Sequence, residues 1–384
     1  GSYVQNYVSA KGNFRAVTYK GTGTDGNEVN VGFQSDLIWI KDLTFTSQHV
    51  LIDSVRGHNK EIFSSMTRDE QTDDNRGSYK SALSEINATG FVLNSQIGPT
   101  GSTNDSSAEV VAWCWKAGGA PSADDKAMVD GEEKTITGDE KLDAGSITPT
   151  RMSVNTKAGF SIVKWRGNGQ AGSTYSHGLT KAPDIIITKT INADMWWNVY
   201  YRPDNIHGYL ENTAALNNDN KGWFHNDTLP NNNLITNGLD AGHNNAEHDY
   251  ITYAWHSVPG YSAFGSYIGT AVNNNGPFVY TGFKPAFVMI KNVEISSEYS
   301  SWGIYDNIRS PYNRMTGSDV LWANRSYEEG KRGNGSGENS IVGPLDFLSN
   351  GFKVLSTACD EFNNDKKYIY MAFAEQPGAF SNAR

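Results

Sequence analysis

One phrase occurs three times in this chain, and the repetition restricts what the chain can fold into. Each copy has a glycine, a turn and an apolar strand that ends in lysine. The copies are VGFQSDLIWIKD at Val31–Asp42, HGLTKAPDIIITKT at His177–Thr190 and GFKPAFVMIKN at Gly282–Asn292, and their lysines are Lys41, Lys189 and Lys291. Self-similarity of this kind is typical of repeat architectures. We therefore expect three equivalent units in which the lysines occupy corresponding positions.

Other landmarks surround each copy in a constant order. An aromatic-containing strand precedes the phrase, and a strand followed by arginine, a glycine turn and a long aromatic strand come after it. An aspartate stands three residues before the arginine in two of the units, and the middle unit keeps Arg202 but has Val199 in place of the aspartate. We expect the recurring charges to form structural ion pairs at strand ends. The pairs are Asp53 with Arg56 and Asp306 with Arg309.

The apolar runs within a unit are short, rich in Val, Ile, Tyr, Phe and Trp, and separated by Gly, Asn, Asp and Pro. This pattern predicts an all-β protein made of three tandem jelly-roll-like β-sandwich units of about 100 residues each. Runs such as VMIK and IIIT suit strands that are buried on both faces. The expected boundaries are an N-terminal arm at 1–11, unit 1 at 12–119, a linker with a hairpin at 120–157, unit 2 at 158–260, unit 3 at 261–378 and a C-terminal tail at 379–384.

Composition narrows the function classes. Hydrophobic residues make up 38% and aromatic residues 12% of the chain, which is too many for a disordered protein. The formal net charge is −10, so no nucleic-acid partner is expected. No apolar run reaches the roughly 18 to 20 residues of a membrane helix, so no membrane insertion is expected. The only cysteines, Cys114 and Cys359, lie in apolar strand patterns and are interpreted as reduced, buried thiols.

Motifs that carry chemistry are sparse. GTGTDG at Gly21–Gly26 matches a dinucleotide pattern, but no helix follows it, so a hairpin turn is favoured. A calcium site is considered near the end of the chain, although no twelve-residue calcium loop is present there and an ordinary turn is favoured. Its candidate ligands are Asp360, Asn363 and Asp365. His243 and His248 flank Glu247 without zinc-binding spacing. We expect no catalytic residues, no cofactor and no enzyme activity.

Aromatic residues beside polar ones are the remaining candidates for binding. Trp196 and Trp197 are adjacent, so one of them must point outward from a strand. Aromatic faces next to Asn, Asp and His hold sugar rings by stacking and hydrogen bonds. The alternative interpretation is that these side chains lie in the core or at a domain contact. The candidate glycan-binding residues are Trp197, Trp223, His225, Trp322 and Asn324.

Several phrases resemble an uncharacterised repeat-domain family of virion proteins from marine bacteriophages, including cyanophages. The resemblance covers most of the chain and is strongest at 159–377, whereas the first unit departs from it with Ser35 where the third has Pro285. It implies a tail-fibre, tail-tip or surface-appendage protein and carries no catalytic motif. The phrases are GFSIVKWRGNG, SHGL, GPFVYTGFKPAFVMIKN, FLSNGFKV and YIYMAFAEQP.

Three functional hypotheses remain open at this point. The first is a virion appendage protein that attaches to a host-surface glycan through contacts multiplied by copy number. The second is a capsid decoration or fibre-shaft protein without a ligand, and the third is a depolymerase of the host envelope polysaccharide. The expected partners are other virion proteins, a host glycan and further copies of the chain. A trimer is implied by the resemblance, with the arm at 1–11 docked on a neighbouring subunit.

Overall fold

The computed structural model describes residues 12–72, 80–95, 102–219, 225–239, 241–311, 313, 319–331, 345–355 and 362–375. The protein is all-β, as the sequence predicts, and its strands form antiparallel sheets with one parallel pair. The sheets fall into three sets that follow one another along the chain. We call these sets the first lobe (14–115), the second lobe (126–255) and the third lobe (262–373).

The first lobe has a large sheet in the order β1-β9-β3-β4-β5-β6 and a small sheet in the order β2-β8-β7. The strands are β1 Phe14–Lys20, β2 Asn27–Asn30, β3 Leu37–Asp42, β4 Val50–Asp53, β5 Lys60–Phe63, β6 Gln71–Thr72, β7 Leu83–Asn87, β8 Gly90–Leu93 and β9 Glu109–Trp115.

The second lobe has a large sheet in the order β11-β10-β12-β13-β19-β15-β16-β17 and a small sheet of β14 and β18. Its strands are β10 Lys126–Val129, β11 Glu132–Thr135, β12 Arg151–Asn155, β13 Phe160–Arg166, β14 Thr174–Ser176, β15 Ile185–Thr190, β16 Trp197–Tyr201, β17 Ile206–Tyr209, β18 Leu234–Thr236 and β19 Asp249–Trp255. It also contains a 3-10 turn at Arg202–Asp204 and a short helix α1 at Ala241–Asn244.

The third lobe repeats the arrangement with β20-β27-β22-β23-β24 in its large sheet and β21-β26-β25 in its small sheet. Its strands are β20 Ser262–Ile268, β21 Phe278–Tyr280, β22 Phe287–Asn292, β23 Gly303–Asp306, β24 Leu321–Trp322, β25 Leu345–Leu348, β26 Gly351–Val354 and β27 Lys367–Phe373. In the first and third lobes the first strand pairs with the last, and in the second lobe β13 pairs with the last strand in the same way. In every lobe the last strand also pairs with the strand of the repeated phrase. The lobes are β-sandwich-like, and the jelly-roll connectivity stays a prediction.

Residues 120–157 differ from the linker that the sequence suggests. The expected hairpin is present, because β10 and β11 turn at Asp130 and Gly131, where φ is 52° and 90°. These two residues are the Asp-Gly pair that a tight hairpin prefers. However, β10 and β12 also pair with each other and β12 pairs with β13, so this segment extends the large sheet of the second lobe.

The glycine of the repeated phrase is required by its backbone. Gly32, Gly178 and Gly282 have φ values of 90°, 73° and 82°, in the region that side chains with a Cβ rarely adopt. Each glycine starts the turn that leads into the phrase strand. A backbone hydrogen bond just before the phrase strand is also common to all lobes. The residue before β3, β15 or β22 donates its amide N–H to the carbonyl of the last residue of β9, β19 or β27, respectively.

The central strands of the large sheets are buried on both faces. In the first lobe, Ile38 and Ile40 face a core that includes Phe91 and Leu93 of the small sheet. Trp39, on the opposite face, belongs to a core shared by all three lobes. The central members of this shared core are rings in edge, tilted or stacked contact. They come from the ends of the last strands and their neighbours: Phe14, Trp115, Trp255, Phe287 and Phe373. Every residue of β3, β15 and β22 is accordingly buried, as the apolar runs predict.

Candidate functional site

The three lobes meet pairwise, so that each lobe contacts the other two. Glu70 of the first lobe donates its amide to the Ile191 carbonyl of the second at 2.8 Å. Ala215 of the second donates its amide to Ser296 Oγ of the third at 2.8 Å. Ser47 of the first donates its amide to the Ser326 carbonyl of the third at 2.8 Å. The lobes therefore close into a ring around the shared aromatic core.

The Asp53–Arg56 pair lies at the junction of the first and second lobes. Arg56 Nε is 2.6 Å from Asp53 Oδ2, and both side chains are fully buried. Asp53 Oδ1 accepts hydrogen bonds from the backbone amides of Val55 and Arg56 at 3.1 and 2.8 Å. Tyr253 of the second lobe donates its hydroxyl to Asp53 Oδ2 at 2.7 Å, and Arg56 Nη1 reaches Glu70 at 3.2 Å. The charges are thus neutralised and joined to the neighbouring lobe.

The Asp306–Arg309 pair repeats this arrangement between the third and first lobes. Arg309 Nε is 2.7 Å from Asp306 Oδ2, and its Nη1 is 2.6 Å from Glu329. Trp113 of the first lobe donates its indole N–H to Asp306 Oδ2 at 2.9 Å. Both ion pairs that the sequence suggests are therefore present at the end of a strand. Their contacts across the junctions could not be seen in the spacing of the residues.

The second lobe departs from this pattern, and not at the residue that the sequence suggests. Strand register places Tyr201, rather than Val199, at the position of Asp53 and Asp306. Tyr201 pairs with Ile185, the first residue of β15. Asp53 and Asp306 likewise pair with the first residues of β3 and β22. Tyr201 donates its hydroxyl to the carbonyls of Gly265 and Tyr370 in the third lobe, at 2.7 and 2.9 Å. At this strand position a neutral phenol thus makes the contact with the neighbouring lobe, and the ion pair of this junction lies elsewhere, between Asp204 and Lys367.

The three lysines of the repeated phrase occupy corresponding positions. Each faces the third residue of the last strand of its sheet, namely Val111, Ile251 or Ile369. Lys189 Nζ donates to the Thr190 carbonyl at 2.6 Å and to the Thr67 carbonyl of the first lobe at 3.1 Å. Burial lowers the pKa of Lys41 and Lys189 to about 8 and that of Lys291 to about 7.

Lys291 follows the same rule at the next junction, where it bonds the Ser300 carbonyl and the Thr213 carbonyl of the second lobe, the latter at 3.2 Å. Lys41 bonds the Asp42 carbonyl at 2.6 Å and is held near Glu328 and Glu329 of the third lobe. The repeated lysine is therefore a junction residue. Its position at the end of an apolar strand is the signal in the sequence, but the carbonyls that it bonds in a neighbouring lobe, those of Thr67 and Thr213, come from loops that do not repeat.

Two tryptophans proposed as sugar platforms are buried, and the glycan interpretation is wrong for them. Trp197 is fully buried and donates its indole N–H to the Phe63 carbonyl of the first lobe at 2.8 Å. Trp322 is 1% exposed, stacks on Phe362 and donates its indole N–H to the Lys331 carbonyl at 2.7 Å. Of the adjacent pair, Trp196 is the residue that points outward, with 44% of its surface exposed.

The polar candidates for glycan binding are also buried in structural roles. His225 is 4% exposed, and its Nδ1 lies 3.1 Å from the Thr236 carbonyl. Asn324 is 4% exposed and accepts a hydrogen bond from the backbone amide of Trp302 at 2.9 Å. Neither side chain can face a sugar in this conformation. Trp223 lies outside the described residues.

Asn363, considered as a calcium ligand, instead holds a loop of its own lobe. Its Oδ1 accepts from the Thr270 amide at 2.9 Å and its Nδ2 donates to the Val272 carbonyl at 3.0 Å. Asn104 makes the same contacts with the Thr22 amide and the Thr24 carbonyl, within the GTGTDG segment. That segment therefore forms a loop closed by an asparagine, with no helix after it.

The other two calcium candidates give no support to a site. Asp365 is exposed, and Asp360 lies outside the described residues. Among the parts of the chain that the structure describes, no group of three or more His, Cys, Asp or Glu side chains is arranged to hold a metal ion. Cys114 is buried with its thiol reduced, and burial raises its pKa to about 12, whereas Cys359 is not described.

An open pocket of about 450 Å³ lies at the edge of the second lobe. Its lining includes Arg202, whose Nη2 pairs with Asp184 and whose Nε donates to the Pro183 carbonyl at 3.0 Å. Asp184 also accepts from the Ser257 amide at 2.6 Å, so both of its carboxylate oxygens are engaged. The remaining polar side chains of the lining are Lys181, Asn232, His256 and Ser257.

No motif in the sequence marks this pocket, but the length of the repeated phrase is one signal for it. The phrase is longer in the second lobe, because six positions separate Gly178 from Asp184 whereas four separate Gly32 from Asp36. The two extra residues bring Lys181 to the pocket. Within the described chain, no helix is both long and apolar enough to span a membrane.

Comparisons with known proteins place the chain in a family without assigning it an activity. No curated protein and no solved structure matches the sequence. One family model, described as a domain of unknown function (DUF7483), matches residues 10–377 and so covers all three lobes. The chain belongs to the DUF7483 family, a domain of unknown function.

Proposed function

We propose that this protein is a structural component of a phage virion, in a tail fibre, tail tip or surface appendage, and that it helps to attach the particle to a host-surface glycan. The virion location rests on the resemblance described above. The observation that supports a structural role is the closed ring of lobes, in which buried ion pairs and lysines join each lobe to its neighbours. A body held in this way presents its surface loops in a fixed arrangement.

The attachment role rests on the open pocket of the second lobe, because the aromatic residues first considered for glycan binding are buried. Pockets lined by a few convergent polar groups are the usual places for small ligands. A decoration or shaft protein without a ligand is the second candidate, and the structural use of Trp197 and Trp322 favours it.

We also propose a homotrimer, in which the arm at 1–11 docks on a neighbouring subunit. The arm lies outside the described residues, and the proposal rests on its interspersed Tyr3, Val4, Tyr7 and Val8. Light scattering on the full chain and on a variant that lacks residues 1–10 tests it. A trimeric mass for the full chain that falls in the shortened variant is expected, and a monomeric full chain at micromolar concentration contradicts it.

The location is tested by electron microscopy of phage particles labelled with an antibody against this chain. We expect the antibody to bind to tail or surface appendages. Particles that bind no antibody would contradict the proposal. Attachment is tested separately, by whether the purified protein competes with the phage for adsorption to host cells. Incubation with host envelope polysaccharide distinguishes the depolymerase hypothesis, since only cleavage produces new reducing ends.

A further inference from the structure

We propose that the pocket of the second lobe binds an acidic saccharide, with Arg202 and Lys181 recognising its carboxylate and His256 recognising one of its hydroxyl groups. This inference rests on the proposed attachment function and names the class of glycan involved. It depends on three observations: the hydrogen-bonding capacity left on these side chains, the charge of the pocket, and the absence of the same groups from corresponding positions of the other lobes.

The guanidinium of Arg202 is held in place, but not all of its N–H groups form hydrogen bonds. Its Nε and Nη2 bond the Pro183 carbonyl and the Asp184 carboxylate, which set the plane of the guanidinium. Its Nη1 has no hydrogen-bond partner among the described residues, and 37% of the side chain is exposed at the pocket. A planar guanidinium held in this way offers N–H groups in the geometry that a carboxylate accepts.

His256 provides a second, buried group at the pocket. The residue is 4% exposed, and its Nδ1 lies 3.1 Å from the Ser257 carbonyl. Its Nε2 is buried and has no hydrogen-bond partner within the described structure. Because Nδ1 faces a carbonyl, it carries the ring proton, and Nε2 is left as an acceptor. An unpaired buried polar atom is costly, so a ligand hydroxyl that donates to Nε2 gains binding energy.

The charge of the pocket favours an anion. Lys181 and Arg202 contribute two positive charges and Asp184 one negative charge, which leaves the pocket at +1 in a chain of net charge −10. Asn232 accepts from the Ala182 amide at 3.1 Å through Oδ1. Its amide N–H₂ can donate to a sugar hydroxyl, which favours a saccharide over a bare inorganic anion.

The other lobes lack this combination at the corresponding positions. The backbone contacts that fix Asp184, Arg202 and His256 recur, with the same geometry, at other residues. In the first lobe these residues are Asp36, Ser54 and Lys116, and in the third they are Ala286, Asn307 and Ala374. The second lobe alone combines an arginine and a histidine here, and it alone has the longer turn that carries Lys181. The pocket is therefore an addition to the repeated framework.

The proposal is tested by titrating the full-length chain, labelled with ¹⁵N at histidine, with D-glucuronate, D-glucose and inorganic phosphate. The signals of the His256 ring nitrogens report occupancy, and the variant His256→Gln assigns them. We expect glucuronate to bind more tightly than phosphate or glucose. Lys181→Gln should weaken glucuronate binding by about fivefold. The matched control is Lys284→Gln, at an exposed lysine in the same turn of the third lobe, and it should have no effect.

Any other order of affinity overturns the proposal. Tighter binding of phosphate identifies a simple anion site, equal binding of glucose removes the role of the carboxylate, and unmoved His256 signals exclude binding at this pocket. An unchanged affinity in Lys181→Gln also contradicts it. These measurements use the purified chain, so their failure is distinguishable from a failure of the virion location, which the labelled particles decide independently.

Discussion

Tyr253 donates its hydroxyl to Asp53 at 2.7 Å, and the two residues are separated by 200 positions in the chain. The contact crosses the junction between the second and first lobes. It is equivalent to the contact of Trp113 with Asp306 between the first and third lobes. In each case one carboxylate binds the arginine of its own lobe and accepts a hydrogen bond from the neighbouring lobe. The lobes are therefore joined through groups that are fully buried and could not be left unpaired without cost.

Removing the Tyr253 hydroxyl tests this contact. We expect Tyr253→Phe to lower the free energy of unfolding by about 1.5–3 kcal/mol, the range for a hydrogen bond to a charged group. Chemical denaturation measures the change. Tyr280→Phe is the matched control, since 67% of Tyr280 is exposed and its variant should unfold as the wild type does. Equal stability of the two variants contradicts the role given to Tyr253.

Breaking the Asp53–Arg56 pair should have a larger effect. Arg56→Met leaves the Asp53 carboxylate buried without its counter-charge, and we expect a loss of about 3–5 kcal/mol. Lys20→Met removes an exposed partner of Glu109 and should cost at most about 1 kcal/mol. The denaturant midpoints of unfolding of the two variants measure these losses. A loss below 1 kcal/mol in Arg56→Met would show that the buried pair is not needed.

The junction lysines make stability depend on pH. Burial lowers the folded-state pKa of Lys291 to about 7, below the usual value of about 10.4, so the unfolded chain binds more protons between these values. The contribution of this lysine to stability therefore rises as pH increases from about 7 towards 10. We expect the melting temperature of wild type to increase relative to that of Lys291→Met between pH 7 and pH 9.5. A constant difference over this interval would contradict the shift.

Trp196 and Trp197 provide a direct test of which tryptophan is structural. Trp197→Ala removes a fully buried indole at the junction of the first and second lobes and should cost about 3–5 kcal/mol. Trp196→Ala removes a half-exposed side chain and should change the free energy of unfolding far less. A reversal of this order would show that the assignment of the two faces is wrong.

The repeated landmarks and the short apolar runs were enough to predict the all-β fold, the equivalence of the lysines and the two ion pairs, because these depend on the pattern within one unit. Register was harder to predict. Counting back three residues from Arg202 aligns Val199 with Asp53. In the structure Tyr201 pairs with Ile185 instead, and Arg202 forms its ion pair with Asp184. A shift of two residues keeps the same sheet face, so the hydrophobic pattern cannot distinguish the two alignments.

The candidate binding residues failed for a related reason. Trp197 and Trp322 stand beside polar residues in the sequence, which suggested exposure, but contacts with other segments cover them. Trp197 is covered by the first lobe, and Trp322 by Lys331 and Phe362 of its own lobe. Both sets of contacts join segments that are distant in the sequence or irregular in structure, and the residues next to each tryptophan carry no information about them. The pocket of the second lobe was missed because Lys181, Arg202 and His256 come from three separate segments.

Calorimetric unfolding of the full chain tests the central claim most directly. If the three lobes form one body around a shared core, they should unfold in a single transition whose calorimetric enthalpy equals its van't Hoff enthalpy. Independent lobes would unfold in separate steps, with a calorimetric enthalpy well above the van't Hoff value. We predict the single transition at neutral pH, and resolved transitions for the individual lobes would contradict the account.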